Sequence, residues 1–160
     1  MVRRDDCSPV RAIWPARGEA QESEIKGALM LGTLITVHGL IRWVLAALAI
    51  VLIVRYASGW LSRRSFAPID RQLGGAYATV MTVQFVLGAV NLVLLAVNGT
   101  FRAGTHIEHA FYGLLATALA HIAPAQKGEG RYRNALILIV VSLVLIFLSV
   151  TRLRGNFFLG

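Results

Sequence analysis

Four apolar runs, each of about twenty residues or more, constrain this chain more than any other feature. They fall at about 33–57, 73–97, 106–124 and 134–152. At about 1.5 Å of rise per residue, each run can cross a hydrocarbon core of ~30 Å as a helix. The connections between them (58–72, 98–105 and 125–133) are short, and short connections make consecutive helices antiparallel neighbours. The expected fold is therefore all-α, a membrane-embedded up-down-up-down four-helix bundle occupying 30–160 as one domain. With 56% hydrophobic and only 15% charged residues, the chain does not read as a soluble domain.

The formal net charge of +8 is not a nucleic-acid signal, because the basic residues lie in short loops between apolar runs. They read as topology determinants. Arg55, Arg63, Arg64, Arg71, Lys127, Arg131 and Arg133 fall on one side, and Arg102, Arg152 and Arg154 on the other. Arg17 and Lys26 join the second group if the N-terminal segment is native. Either way the excess places both termini outside. Trp60, Phe66 and Tyr132 on one side, with Phe101, Phe157 and Phe158 on the other, are placed as interfacial aromatic belts would be.

Residues 1–29 carry mixed charge and two prolines and show no apolar periodicity. They lack the apolar core of a signal peptide and read as a flexible polar tail. Met30 stands immediately before the first apolar run and is a candidate native start. The single cysteine, Cys7, excludes an intramolecular disulfide and covalent haem attachment through Cys-x-x-Cys-His.

Ionisable residues inside a membrane span are costly and mark functional candidates. His38 and Arg42 lie one turn apart in the first run, and the stretch 104–121 of the third holds His106, His109 and His121. At about 100° per residue, His106, His109, Gly113, Thr117 and His121 share an arc of about 120°. Such an arc expresses burial, with or without ligation. Thr105 and Glu108 have the spacing of a capping box; the other readings of Glu108 are an ion pair with Arg42 and proton transfer. Arg42 should lean back toward the His38 level, where a carboxylate such as Glu108, a haem propionate or an acidic substrate could meet it.

On the second run, Tyr77, Gln84, Gly88 and Asn91 share one face. They read either as interhelical hydrogen bonding with a small residue for close packing, or as the lining of a cofactor site. In the second case Gly88 and Gly113 leave clearance for a flat ring. The fourth run has no titratable group before Arg152 and reads as scaffold.

Depth separates the histidines. His38 and His109 each sit ~6–8 Å into their helices from the same surface, whereas His121 lies ~18 Å deeper than His109, near the opposite face. One metal can be shared by His38 and His109, with His106 as substitute for the latter. His121 is an interfacial residue or a proton carrier. Two neutral imidazoles at matched depth on different helices are what an axially ligated b-type haem requires.

The run His38-Gly-Leu-Ile-Arg-Trp43, the Glu108-His109 pair opening the third run and His121 closing it resemble small four-helix bacterial integral membrane proteins usually labelled cytochrome-b-like. The likeness covers most of 30–155. It implies a multi-pass protein of the bacterial cytoplasmic membrane, with haem b, electron transfer in a respiratory or photosynthetic chain, and His38, His109 and His121 as the matching positions. The enzymatic role it implies is at most that of an oxidoreductase component. The partners expected are the lipid bilayer and a redox partner or larger membrane complex.

The competing class is a non-catalytic subunit or assembly factor of an energy-transducing complex, without haem or with a chlorophyll-type pigment on a histidine. A carrier using Arg42, Glu108 and the histidines is disfavoured, since no broken helix or convincing repeat offers alternating access. Zinc hydrolysis is disfavoured too, since no third ligand and general base converge.

Overall fold

The computed structural model describes residues 17–154. Residues 1–16, Cys7 and the belt residues Phe157 and Phe158 lie outside that range. The described chain is helical and without strands: α1 (Arg17–Leu61), α2 (Pro68–Val97), α3 (Ala103–Ile122), a 3-10 turn (Ala123–Ala125) and α4 (Arg131–Arg154).

α1 begins well before the apolar run. Residues 17–29, expected as flexible chain, are helical from Arg17. Apolar periodicity cannot detect a helix that is polar on all sides. Here it is helix-favouring Glu, Ala, Gln and Lys residues that sustain it, with a Glu22–Lys26 pair at 2.7 Å one turn apart. The other end closes through Arg63 in the left-handed region (φ 52°). The Arg64 N–H reaches back to the Gly59 carbonyl at 3.2 Å, as in a Schellman ending.

α2 starts on Pro68, and the carboxylate of Asp70 accepts the Ala67 N–H at 2.9 Å, satisfying a donor orphaned by the helix start. α3 starts at Ala103, with Arg102 as its cap and no side-chain cap of the Ser/Thr type. Thr105 is thus inside the first turn, and the expected Thr105–Glu108 capping box is not formed. His106 Nδ1 instead accepts the Arg102 N–H at 2.8 Å.

α1 packs on α2 and α4, and α3 packs on α2 and α4; among the described residues, the backbones of α1 and α3 stay apart, as do those of α2 and α4. The helices therefore form a ring with two diagonals. One end of the ring is solid. Leu45, Ala49, Leu52, Tyr56, Tyr77, Ala78, Met81, Ala116, Ala120, Ala135 and Ile139 are fully or almost fully buried there. The alanines on α3 and α4 let those backbones approach closely. Across the diagonal, Tyr77 donates to Ser142 Oγ at 3.0 Å, and Ser142 in turn donates to the Ala116 carbonyl at 3.0 Å.

At the tip of the solid end sits Asp70, fully buried. Its carboxylate takes Arg55 Nε, the Tyr132 hydroxyl at 2.6 Å and Arg64 Nη2 at 3.5 Å, while the Tyr56 hydroxyl donates to its carbonyl at 2.9 Å. Phe66 packs against Tyr132 with ring centres 4.9 Å apart, and the Arg131 guanidinium lies 3.8 Å over the Phe66 ring. Tyr132 is therefore buried in this knot, and the partly buried Phe66 packs against it. Gly59 and Gly74 are required by it: a Cβ would stand 2.5 Å from the Tyr132 ring and 2.6 Å from the Tyr56 hydroxyl, respectively.

The outer faces are apolar. Leu40, Val51 and Val54 on α1, Val83, Val86 and Val93 on α2, and Ile137 and Val144 on α4 are all exposed. Three helical stretches are long and apolar enough to cross a membrane: Gln21–Leu61, Pro68–Val97 and Arg131–Leu153. α3 falls short of that description because its twenty residues include three histidines and a glutamate.

Candidate functional site

The other end of the ring is hollow. A cavity of about 390 Å³ opens there, within the range of small-molecule and cofactor sites. His38, Gly39 and Arg42 line it from α1, Gln84, Gly88 and Asn91 from α2, His106, His109, Gly113 and Thr117 from α3, and Ser149 from α4. Most of its remaining wall is apolar, with Ile35, Met81, Phe85, Leu92 and Ile146 among the contributors.

His38 and His109 meet edge-on in this lining. Their ring centres are 6.3 Å apart, with the planes at 63°. They belong to the two helices whose backbones stay apart, so the rings span the α1–α3 diagonal.

Each ring is held by a different helix. His109 Nδ1 lies 2.9 Å from the Ser149 carbonyl and 2.7 Å from Ser149 Oγ. A carbonyl oxygen only accepts, so the proton is on Nδ1 and the lone pair of the neutral ring is on Nε2. The Ser149 hydroxyl proton goes to the His109 carbonyl at 3.1 Å, which locks ring and backbone of the same residue to α4. The helix that read as scaffold thus supplies the clamp on the central histidine. A serine in an apolar run looks like ordinary packing in a sequence, and only the α3–α4 register reveals its partner.

His38 is held by Gln84. The amide nitrogen of Gln84 lies 2.9 Å from the His38 carbonyl and 3.3 Å from His38 Nε2. The carbonyl contact identifies that atom as the donor, so Nε2 of His38 is an acceptor. Gly88 makes room for this ring, since a Cβ there would stand 3.0 Å from His38 Cε1. The clearance expected at Gly88 for a flat cofactor is occupied by His38 itself. Gly113 has only Phe85 Cδ2 near, at 3.8 Å, and leaves the α3 wall open.

The other candidates separate. Tyr77 does not line the cavity; it belongs to the packed diagonal with Ser142. Glu108 pairs with Arg152 at 3.2 Å and accepts the Tyr112 hydroxyl at 3.4 Å, so it is Arg152, and not Arg42, that meets it. Arg42 is buried, lines the cavity and stands 5.2 Å from the Trp43 ring centre. His106 reaches the cavity while stacked on Phe101, ring centres 5.4 Å apart. His121 lies away from the cavity, 2.9 Å from Thr82 Oγ1.

Two buried acceptors of the lining, Gln84 Oε1 and Asn91 Oδ1, have no hydrogen-bond donor among the described residues. Such atoms ordinarily find water or a ligand. No group of three or more His, Cys, Asp or Glu side chains capable of holding a metal occurs among the described residues, so protein-only metal ligation rests on no cluster larger than the His38–His109 pair. No family model, curated protein or solved structure matches the chain.

Proposed function

We propose that this chain is a membrane-embedded up-down-up-down four-helix bundle that holds one b-type haem between His38 and His109 and passes electrons through it. The observation that carries the reading is the 6.3 Å between the two ring centres. Two imidazoles on opposite sides of one metal, each with its nitrogen about 2 Å away, put their ring centres on the order of 6 Å apart.

The surroundings fit the group. His109 offers the lone pair of Nε2 while its Nδ1–H is bonded to a carbonyl, the arrangement that fixes tautomer and orientation in metal-binding histidines. Gly113 leaves the α3 wall low, and apolar side chains from three helices line the rest. Arg42, buried in the same lining, is the cation for a propionate. When bound, haem supplies one-electron chemistry; the residues around it fix its position, exclude bulk water and set its potential.

The apolar outer faces support the frame of this reading. Exposed valine and leucine faces on all sides of the ring are costly in water and neutral in lipid. Most of the polar arc of α3 (His106, His109, Gly113 and Thr117) is turned to the cavity, which lets a twenty-residue helix of modest hydropathy sit among lipid-facing neighbours. The basic excess at the Asp70 end favours both termini outside a bacterial cytoplasmic membrane.

A second reading is a non-catalytic subunit of a larger membrane complex. The Gln84–His38 contact favours it, since there His38 already serves as interhelical glue. A reduced-minus-oxidised visible spectrum of protein purified in mild detergent separates the two. The haem reading expects a b-type α-band that is lost in His38→Ala and in His109→Ala. A colourless, folded preparation that stays colourless on addition of hemin overturns it in favour of the subunit.

A further inference from the structure

The knot at Asp70 holds more positive charge than it neutralises. Three guanidinium groups stand in it: Arg55 and Arg64 on the carboxylate, and Arg131 at 3.8 Å over the Phe66 ring. Among the described residues Asp70 is the only buried acid, so two of the three charges have no counterpart in the knot. The Asp70 oxygens already take Arg55, Arg64, the Tyr132 hydroxyl and the Ala67 N–H, about as many donors as one carboxylate accepts.

Arg131 is the group left over. It is half-buried, its Nη2 reaches the Pro124 carbonyl at a long 3.4 Å, and its buried Nε has no acceptor among the described residues. A buried donor in that state is costly. The Nε–Nη2 edge of a guanidinium matches two oxygens of one phosphate, and stacking on a ring holds the plane of that edge. Arg64 lies 5.4 Å over Tyr132, the ring packed against Phe66, so a second guanidinium stands one ring away.

The same end supplies the other parts of a site for an amphiphile. Arg63, Arg71, Lys127 and Arg133 are exposed there, with Glu129 the acid among them. Trp60, Leu61 and Ile69, on either side of the α1–α2 connection, are exposed apolar side chains, Leu61 by 78%. Here α1 and α2 leave their apolar stretches, the level at which a bilayer presents its phosphates. Loop charge alone is a topology signal, but topology does not call for a guanidinium stacked on a packed ring with an unmatched donor.

We propose that this end of the ring binds one anionic phospholipid, its phosphodiester on Arg131 with Arg64 beside it and its acyl chains along Trp60, Leu61 and Ile69. The exposed apolar flank favours a lipid over a free phosphate as the source of the anion. The site lies at the end of the ring away from the cavity, so it and the haem reading stand or fall separately.

The test uses the full chain in detergent, stripped of lipid, with phosphatidylglycerol, phosphatidylcholine and inorganic phosphate as probes at one ionic strength. Phosphatidylglycerol at about a hundredfold excess over its dissociation constant should raise the melting temperature by about 5–10 °C. Phosphatidylcholine and inorganic phosphate should each raise it by less than about 2 °C. Native mass spectrometry should show one phosphatidylglycerol retained per chain. Arg131→Gln should lose both the shift and the retained lipid. Arg133→Gln, an equal loss of charge at an exposed neighbour, should keep both.

Equal shifts with the two lipids, or equal losses in Arg131→Gln and Arg133→Gln, overturn the site in favour of a diffuse basic surface. A full shift with inorganic phosphate alone overturns the lipid as its source. Should Arg131→Gln not fold, Arg131→Lys decides, since it keeps the charge without the planar fork. Phosphatidylglycerol binding should then fall about tenfold, and unchanged binding overturns the site.

Discussion

Tyr132 donates its hydroxyl to the Asp70 carboxylate at 2.6 Å, joining α4 to α2 although the backbones of those helices stand apart across a diagonal. The bond is charge-assisted and both residues are buried. Tyr132→Phe removes one of the partners of the carboxylate and is expected to cost about 2 kcal/mol. Asp70→Leu leaves Arg55 and Arg64 facing apolar surroundings and is expected to cost more, about 3 kcal/mol, a figure lowered by the partial exposure of both arginines. Thermal melts in detergent, followed by circular dichroism, check both. A Tyr132→Phe protein as stable as the parent removes the knot as a source of stability.

Gly88→Ala and Gly113→Ala should differ sharply although both glycines line the same cavity. A methyl group at 88 meets His38 Cε1 at 3.0 Å, while one at 113 makes ordinary contact with Phe85 at 3.8 Å. The expectation is a hemin affinity lowered at least tenfold for Gly88→Ala and changed less than threefold for Gly113→Ala, with both proteins folded. Hemin titration monitored at the Soret band measures this, and equal effects would count against the placement of His38.

Gly59→Ala tests packing at the opposite end. Its Cβ would stand 2.5 Å from the Tyr132 ring, and overpacking of that kind costs about 1–3 kcal/mol. The melting temperature should fall, while hemin affinity at the distant cavity should stay within twofold of the parent.

Glu108→Gln discriminates an ion pair from a proton carrier. The partner Arg152 is 64% exposed, and exposed pairs contribute about 0–1 kcal/mol. Little loss of stability and no change in the rate of haem reduction by dithionite across pH are expected. A rate that becomes pH-dependent only in the variant would restore the proton-transfer role.

Val83→Lys places a charge midway along α2 on its outer face, where Val83 is 48% exposed. On a water-facing helix this change is nearly neutral. In a bilayer it costs about 2.5–3.5 kcal/mol, so the fraction of protein recovered in the membrane should drop. Unchanged recovery in the membrane fraction would argue that α2 does not face lipid.

Much of this molecule is legible from its residues, and the parts that are not share a cause. Apolar run length located all four helices, and helical rise placed His38 and His109 at one level, since both depend on short-range regularities. The α1 extension escaped because Arg17–Leu29 has propensity without an apolar face. The Asp70 knot escaped because its members come from positions 55, 56, 64, 66, 70 and 132, and their convergence is a property of the ring, not of any one segment. Ser149 escaped for the same reason. Glu108 misled through a local motif: its Thr105 spacing is right, but the helix had already started at Ala103.

The solid and hollow ends of the ring set where the molecule can move. α1, α2 and α4 are fastened together at Asp70 like fingers at a knuckle, and the cavity lies toward their other ends, where the ties are the Gln84–His38 and Ser149–His109 hydrogen bonds. Backbone amides near Tyr56 and Ala135 should exchange with deuterium on the timescale of global unfolding, and those near Leu34 and Asn91 much sooner. Splaying those ends would widen the cavity without any loosening of the knuckle that joins α1, α2 and α4.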